Sequence, residues 1–312
     1  MAMEIKELEQ LANSGDARAI YELGIDYQFG IEVEQNFKKA VELLNKAAEL
    51  GNESAIEAVL EIEKTQKLIQ YADKGNAGAM NILGHRYENG DGVQVDEKKS
   101  FEMYKKASDL GNTDAMYNLG SCYEYGRGVK QDLKKAVEWF KKSAADGNSE
   151  AMNKLGRCYR NGRGVEKNLE EAFKCFEQAA NLGNMKAMEN LGECYRDGIG
   201  IEQDFKKSFE WFKNSAESGS KYAMNSLGEC YRDGIGTEQD FEKAVEWFRK
   251  SAEAVPFGDT KAMNNLGECY ENGIGVEQDL QQAIDWYQRA VDLGNTDAAL
   301  KLDDAIIKLE NL

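Results

Sequence analysis

The sequence predicts an all-α protein of stacked helix-turn-helix repeats, a solenoid. Three observations predict it: a 36-residue period, two amphipathic stripes inside each period, and glycines held to fixed places within it. Leu-Gly recurs at Leu23-Gly24, Leu83-Gly84, Leu119-Gly120, Leu155-Gly156, Leu191-Gly192, Leu227-Gly228 and Leu266-Gly267, with spacings of 60, 36, 36, 36, 36 and 39. A second glycine series, Gly15, Gly51, Gly75, Gly111, Gly147, Gly183, Gly219, Gly258 and Gly294, places its irregularities at the same two points. Length alone, 312 residues, would suggest two domains, but self-similarity overrides that prior and predicts one array over 1–312.

In chain order, residues 1–14 read as an N-terminal helix and 15–75 as a first full unit followed by a truncated one. Twelve residues and a G-x-G loop are missing between Gly51 and Gly75, so Ser54–Lys74 is either two short helices with a tight break or one longer helix. Residues 76–293 hold six regular units. Within Thr113–Gly147, the apolar positions Ala115, Leu119, Cys122 and Tyr123 form the stripe of a first helix, A. After the loop GRGVKQD, Leu133, Ala136, Val137, Phe140 and Ala144 form that of a second, B. Neither helix can bury its stripe alone, so the units must stack.

Asn36, Asp132, Asn168, Asp204, Asp240 and Asp279 suit the N-cap of helix B, because a short carboxylate or amide accepts from the exposed first-turn N–H groups. Gly111, Gly147, Gly183 and Gly219 suit the left-handed residue that ends it. The glycine of each Leu-Gly pair lies inside helix A, where it costs about 1 kcal/mol against Ala; close approach of the paired helix is the expected compensation. Glu32 stands where other units place the second loop glycine, so a looser first loop is expected. Ala254–Thr260 adds three residues and the only proline, Pro256, predicting a longer turn without a broken element. Residues 294–312 read as a C-terminal capping helix.

Composition narrows the function classes. With 39 Lys plus Arg against 56 Asp plus Glu, the formal charge is −17, which argues against nucleic acid or an anionic membrane as a partner. The 42 % hydrophobic content excludes a disordered chain, and no apolar run approaches the ~20 residues of a spanning helix. The start, MAMEIKELEQLANSGDA, carries acidic residues where an export signal would be basic and then apolar, so a cytoplasmic location is expected.

The unit LGECYRDGIGIEQDFKKSFEWFKNSAESG from Leu191, repeated with small changes from Leu227 and Leu266, resembles the Sel-one-like repeat (SLR), a relative of the tetratricopeptide repeat. The motifs that carry the likeness are A-M-x-x-L-G-x-x-Y, the G-x-G-V loop, the acidic cap, and K-A-x-x-W-F-x-K-[SA]-A before the closing glycine; they cover nearly the whole chain. Departures are the truncated unit, Glu32, and Leu43, Met103 and Cys175 in the Trp column. The resemblance implies a right-handed α-α superhelix that serves as a scaffold or adaptor for other proteins. It names no single partner.

Candidates for chemistry are few. Cys122, Cys158, Cys194, Cys230 and Cys269 share one column of helix A, but stacked helices stand ~8–10 Å apart and a disulfide needs Cα atoms within ~7 Å. They read, with Cys175, as buried small hydrophobes. Metal binding by thiolates would need Cys and His clusters, and the only histidine is His85. The G-x-G loops lack the third glycine of a dinucleotide site and the Gly-Lys-Ser/Thr of a P-loop. Asn89–Glu97 is acidic but lacks the register of a calcium loop. Neither a cofactor nor an enzymatic activity is expected.

Binding is expected on the A helices, which in the tetratricopeptide-like arrangement line the concave face. The columns just before the repeat leucine hold Asn81, Asn118, Asn153, Asn190, Asn225, Asn264 and Asn265. Such amides could hold an extended peptide backbone, or could instead satisfy one another and neighbouring backbone. The columns after the leucine gather Arg157, Arg160, Arg196 and Arg232 in the middle of an acidic chain. With Lys154, Arg163 and Arg127 they could receive an acidic peptide, flanked by Tyr117 and Tyr125 as contact area. Glu193–Arg196 and Glu229–Arg232 sit at i, i+3 and could pair within their helices, whereas Arg157 and Arg160 have no such acid. The expectation is a monomeric scaffold that binds a protein or peptide segment. Two alternatives stand beside it: an enzyme or envelope-associated protein acting on peptidoglycan-like substrates, and a consensus-type array without a ligand. The second is suggested by Leu191–Glu217 and Leu227–Glu253, which differ at only six of 27 positions.

Overall fold

A computed structural model describes residues 5–311, which hold 17 α-helices and no strand. The part of the N-terminal helix expected at 1–4 lies outside them. The chain falls into two compact units that divide between Asn148 and Ser149.

The first unit runs α1 (Ile5–Asn13), α2 (Ala17–Phe29), α3 (Phe37–Glu49), α4 (Glu53–Asp73), α5 (Ala77–Asn89), α6 (Glu97–Asp109), α7 (Thr113–Tyr125) and α8 (Leu133–Ala145). Here α2, α5 and α7 are A helices and α3, α6 and α8 are the B helices packed on them. The second unit holds the pairs α9 (Ser149–Asn161) with α10 (Leu169–Asn181), α11 (Met185–Asp197) with α12 (Phe205–Glu217), and α13 (Lys221–Asp233) with α14 (Phe241–Ala252). A last pair, α15 (Thr260–Asn272) with α16 (Leu280–Asp292), is followed by α17 (Asp297–Glu310).

Local chemistry sets these boundaries. Asn36, Asp132, Asn168, Asp204, Asp240 and Asp279 each accept from a first-turn N–H of helix B, as the sequence predicts, and Asp96 does the same for α6. The A helices α5, α7 and α11 are capped the same way by Asn76, Asn112 and Asn184, the residue after the closing glycine. Inside helix A, a Cβ on Gly120 would lie 2.6 Å from the Phe140 ring, and one on Gly192 would lie 2.7 Å from Phe212. Close approach by the B-helix aromatic is therefore what the Leu-Gly glycine permits. Phe140, Phe176, Phe212 and Phe248, with Leu119, Leu191, Leu227 and Leu266, are fully buried.

Two irregular segments resolve differently. Of the alternatives for the truncated unit, the chain takes the longer one: α4 is a continuous helix of 21 residues that packs on α3 and on α5. Only Ala55, Ile62, Thr65 and Ala72 of it are buried. Arg86 ties it to α5, pairing with Glu61 at 2.9 Å and donating to Thr65 Oγ1 at 2.5 Å. The turn Ala254–Asp259 leaves α14 and α15 intact, as expected. In the first loop Glu32 itself adopts φ 56°, the left-handed conformation of the loop glycines. Such a residue costs roughly 1–2 kcal/mol when it carries a Cβ.

Candidate functional site

The asparagine columns form clasps between successive A helices. Asn118 donates to Asn81 Oδ1 at 2.9 Å in the first unit, with His85 Nε2 3.2 Å from the same amide. In the second unit Asn190 donates to Asn153 Oδ1 at 2.9 Å and Asn265 to Asn225 Oδ1 at 2.8 Å. The amide two residues before one leucine thus meets the amide one residue before the next. Asn153 and Asn225 are buried by this arrangement. Asn190 also donates to the Lys186 carbonyl at 2.8 Å, so both its N–H groups are used, while its Oδ1 takes part in no hydrogen bond.

Most of the arginine column packs over rings. Arg160, Arg196 and Arg232 lie 5.7, 5.8 and 5.8 Å from the ring centroids of Phe176, Phe212 and Phe248. Arg160 also pairs with Glu193 on the next A helix at 3.0 Å, an acid that spacing within its own helix does not reveal. Arg196 and Arg232 pair with the adjacent Asp197 and Asp233, both at 2.8 Å, instead of with Glu193 and Glu229. In the first unit Arg127 pairs with Glu88 and lies 5.3 Å from the exposed Tyr125 ring, and Tyr117 packs against Phe140 at 5.8 Å.

One groove gathers several predicted residues. A cavity of about 380 Å³ over α9, α11 and α13 is lined by Asn153, Arg157, Arg160 and Asn190, together with Lys186, Glu189, Glu193, Lys221 and Tyr222. Lys154 on α9 is half-buried and does not line it, nor do Asn225, Arg196 or Arg232. Arg157 is exposed and makes no hydrogen bond or ion pair. Glu189 accepts from the Ser220 hydroxyl, and burial raises its carboxyl above the usual range. Sequence reasoning missed Lys186, Lys221 and Tyr222, which stand in the first turns of α11 and α13. Their signal was the basic or aromatic residue after each closing glycine and cap, outside the columns counted from the leucine.

Other candidates recede. All six cysteines are buried and outside any disulfide, and burial pushes the Cys122, Cys194 and Cys230 thiols up to about 12. Among the described residues no group of three or more His, Cys, Asp or Glu is placed to hold a metal ion. Nor is any described helix long and apolar enough to cross a membrane.

Paired helices of fixed period, packed within each unit on their neighbours in sequence, define an α-solenoid repeat protein. Residues 17–52, 77–112, 113–148, 149–184, 186–220, 221–255 and 260–295 match the Sel1 repeat, and the chain belongs to that family. It is similar to c5321 of uropathogenic Escherichia coli, a protective antigen displaying an SLR fold. That similarity has 32 % identity and a TM-score of 0.70, over 99 % of this chain and 68 % of that one. A Sel1 repeat protein from Oxalobacter formigenes is 28 % identical with a TM-score of 0.69, over 97 % of this chain and 90 % of its own. No curated protein matches the chain.

Proposed function

We propose that the chain is a protein-interaction scaffold, and that its second unit holds an acidic peptide segment in the groove over α9, α11 and α13. Scaffolding is the common role of Sel1 repeats; the acidic ligand and its site are read from this chain's residues. The observation that carries the reading is Arg157, exposed and unpaired beside Lys186 and Lys221 in a chain of charge −17. A guanidinium left without an intrachain acid is available for a bidentate carboxylate contact. Asn190 Oδ1 adds an acceptor for a backbone N–H of the bound segment, while its donors stay committed to Asn153 and Lys186. Six cysteines outside any disulfide suit a reducing compartment, which favours the cytosol.

The test is to pan a diverse peptide-display library on the full chain and on Arg157→Ala/Lys186→Ala/Lys221→Ala, both having the same far-UV helical signal. Acidic peptides should be enriched on the wild type and lose at least tenfold on the variant. Equal enrichment on both would move binding off this groove, and enrichment of neutral or basic peptides would reject the charge argument.

A further inference from the structure

The three residues that stretch one repeat from 36 to 39 fall in the turn between α14 and α15, and the turn carries Val255 and Phe257. Val255 is 92 % exposed, the highest value among the large apolar side chains of the described residues, and Phe257 is 67 % exposed. Neither contributes to the core that the two flanking helices build. The turn is nevertheless fixed. Lys221 Nζ donates to the Phe257 carbonyl at 2.6 Å, Asp259 N–H to the Ser251 carbonyl at 3.0 Å, and the Ser251 hydroxyl to the Lys221 carbonyl at 2.6 Å.

Lys221 is also a wall of the basic groove, and its neighbour Tyr222, another wall, is 58 % exposed with the Lys221 ammonium 5.3 Å from its ring centroid. One lysine therefore joins the cationic groove to the apolar turn. Exposed apolar side chains held on a fixed backbone are stabilised when a partner covers them, and they lose little entropy in doing so.

We propose that the groove and the turn are one composite site, whose occupant is an extended acidic segment with a bulky apolar residue beside its carboxylates. The acidic side chains meet Arg157 and Lys186, and the apolar residue covers Val255, Phe257 and Tyr222. This inference rests on the acidic-segment reading of the groove and adds the second determinant to it.

The experiment displays three peptide pools on a common glycine-serine frame: three Asp or Glu with a Phe, Leu or Trp at varied spacing from them, the same acids with serine replacing the apolar residue, and the same apolar residues with Asn and Gln replacing the acids. Each is panned on the full wild-type chain, on Val255→Ser/Phe257→Ser, and on Arg157→Ala/Lys186→Ala. Val255 and Phe257 are solvent-exposed, so the first variant keeps the fold. Wild type should enrich the acidic-apolar pool at least tenfold over the acidic-only pool. The turn variant should bring those two pools level while both stay above the apolar-only pool, and the groove variant should lose both. Equal enrichment of the two acidic pools on wild type would overturn the composite site and leave the groove reading standing. A preference that survives Val255→Ser/Phe257→Ser would overturn it as well. Failure of both acidic pools to exceed the apolar-only pool would overturn the groove reading and this inference together.

Discussion

One hydroxyl tracks what stands five residues after the repeat leucine on helix A. Where the helix B aromatic is tyrosine, the position is glutamate: Tyr104 donates to Glu88 at 3.0 Å and Tyr287 to Glu271 at 2.7 Å. Where the aromatic is phenylalanine, Arg160, Arg196 and Arg232 lie against its ring. Glu124, sixteen residues before Phe140, departs from this pairing. Arg196→Glu alone should destabilise by about 1–3 kcal/mol, because the new carboxylate meets a ring and no donor. Adding Phe212→Tyr should recover about 1 kcal/mol or more in urea unfolding; a pair of effects that simply add would sink the idea. The N-cap Asp259 gives a second prediction. It is buried, and burial raises its carboxyl pKa despite the N–H it accepts from Lys261. A raised folded-state pKa means that ionisation opposes folding, so the protonated cap is the more stabilising one and the advantage is lost as pH rises through the folded pKa. Asp259→Asn should therefore stabilise at pH 7, with the gain vanishing below the ordinary carboxyl range near pH 3. A melting temperature unchanged or lowered at pH 7 would contradict this.

At the scale of elements, α4 is the outlier. Its 21 residues bury four, whereas the 13-residue α11 buries Ala187, Leu191, Gly192, Cys194 and Tyr195. Helix stability in a solenoid comes from burial against neighbours more than from propensity, so α4 should open first. Amide hydrogen exchange should be faster through the middle of α4, from Leu60 to Ile69, than through α11 or α13. Equal protection would mean that the Arg86 clamp on Glu61 and Thr65 compensates for the missing core. The turn between α14 and α15 shows the opposite economy: an insertion that leaves both helices whole and costs the core nothing.

At the scale of the molecule, chemistry is recessive and packing dominant. Cys122 lies in the first unit and Cys158, Cys175, Cys194, Cys230 and Cys269 lie in the second, all of them buried. Burial disfavours the thiolate that would react. At pH 8 without denaturant, Ellman's reagent should titrate essentially none of the six thiols within minutes, and all six in strong denaturant. Five of them report opening of the second unit. Rapid native reaction of several thiols would show that the repeat interfaces breathe far more than buried cysteines allow.

The sequence by itself determined the repeat period, the helix pairs, the caps and the buried role of the cysteines. Each of these depends on spacing within one unit and on residue chemistry that acts over a single turn. The glycine inside helix A was legible as a cost, and its cause in the B-helix aromatic was predictable in kind. What only tertiary structure decided were side-chain contacts between helices. The asparagine clasps, the Arg160–Glu193 pair and the placing of Arg196 and Arg232 over phenylalanines all join residues 16 to 40 positions apart. Counting along one helix cannot show them. The same holds for the groove, where the first turns of α11 and α13 bring Lys186, Lys221 and Tyr222 beside Arg157. Side chains in neighbouring repeats of one unit meet through the offset between stacked helices, which is a property of their packing.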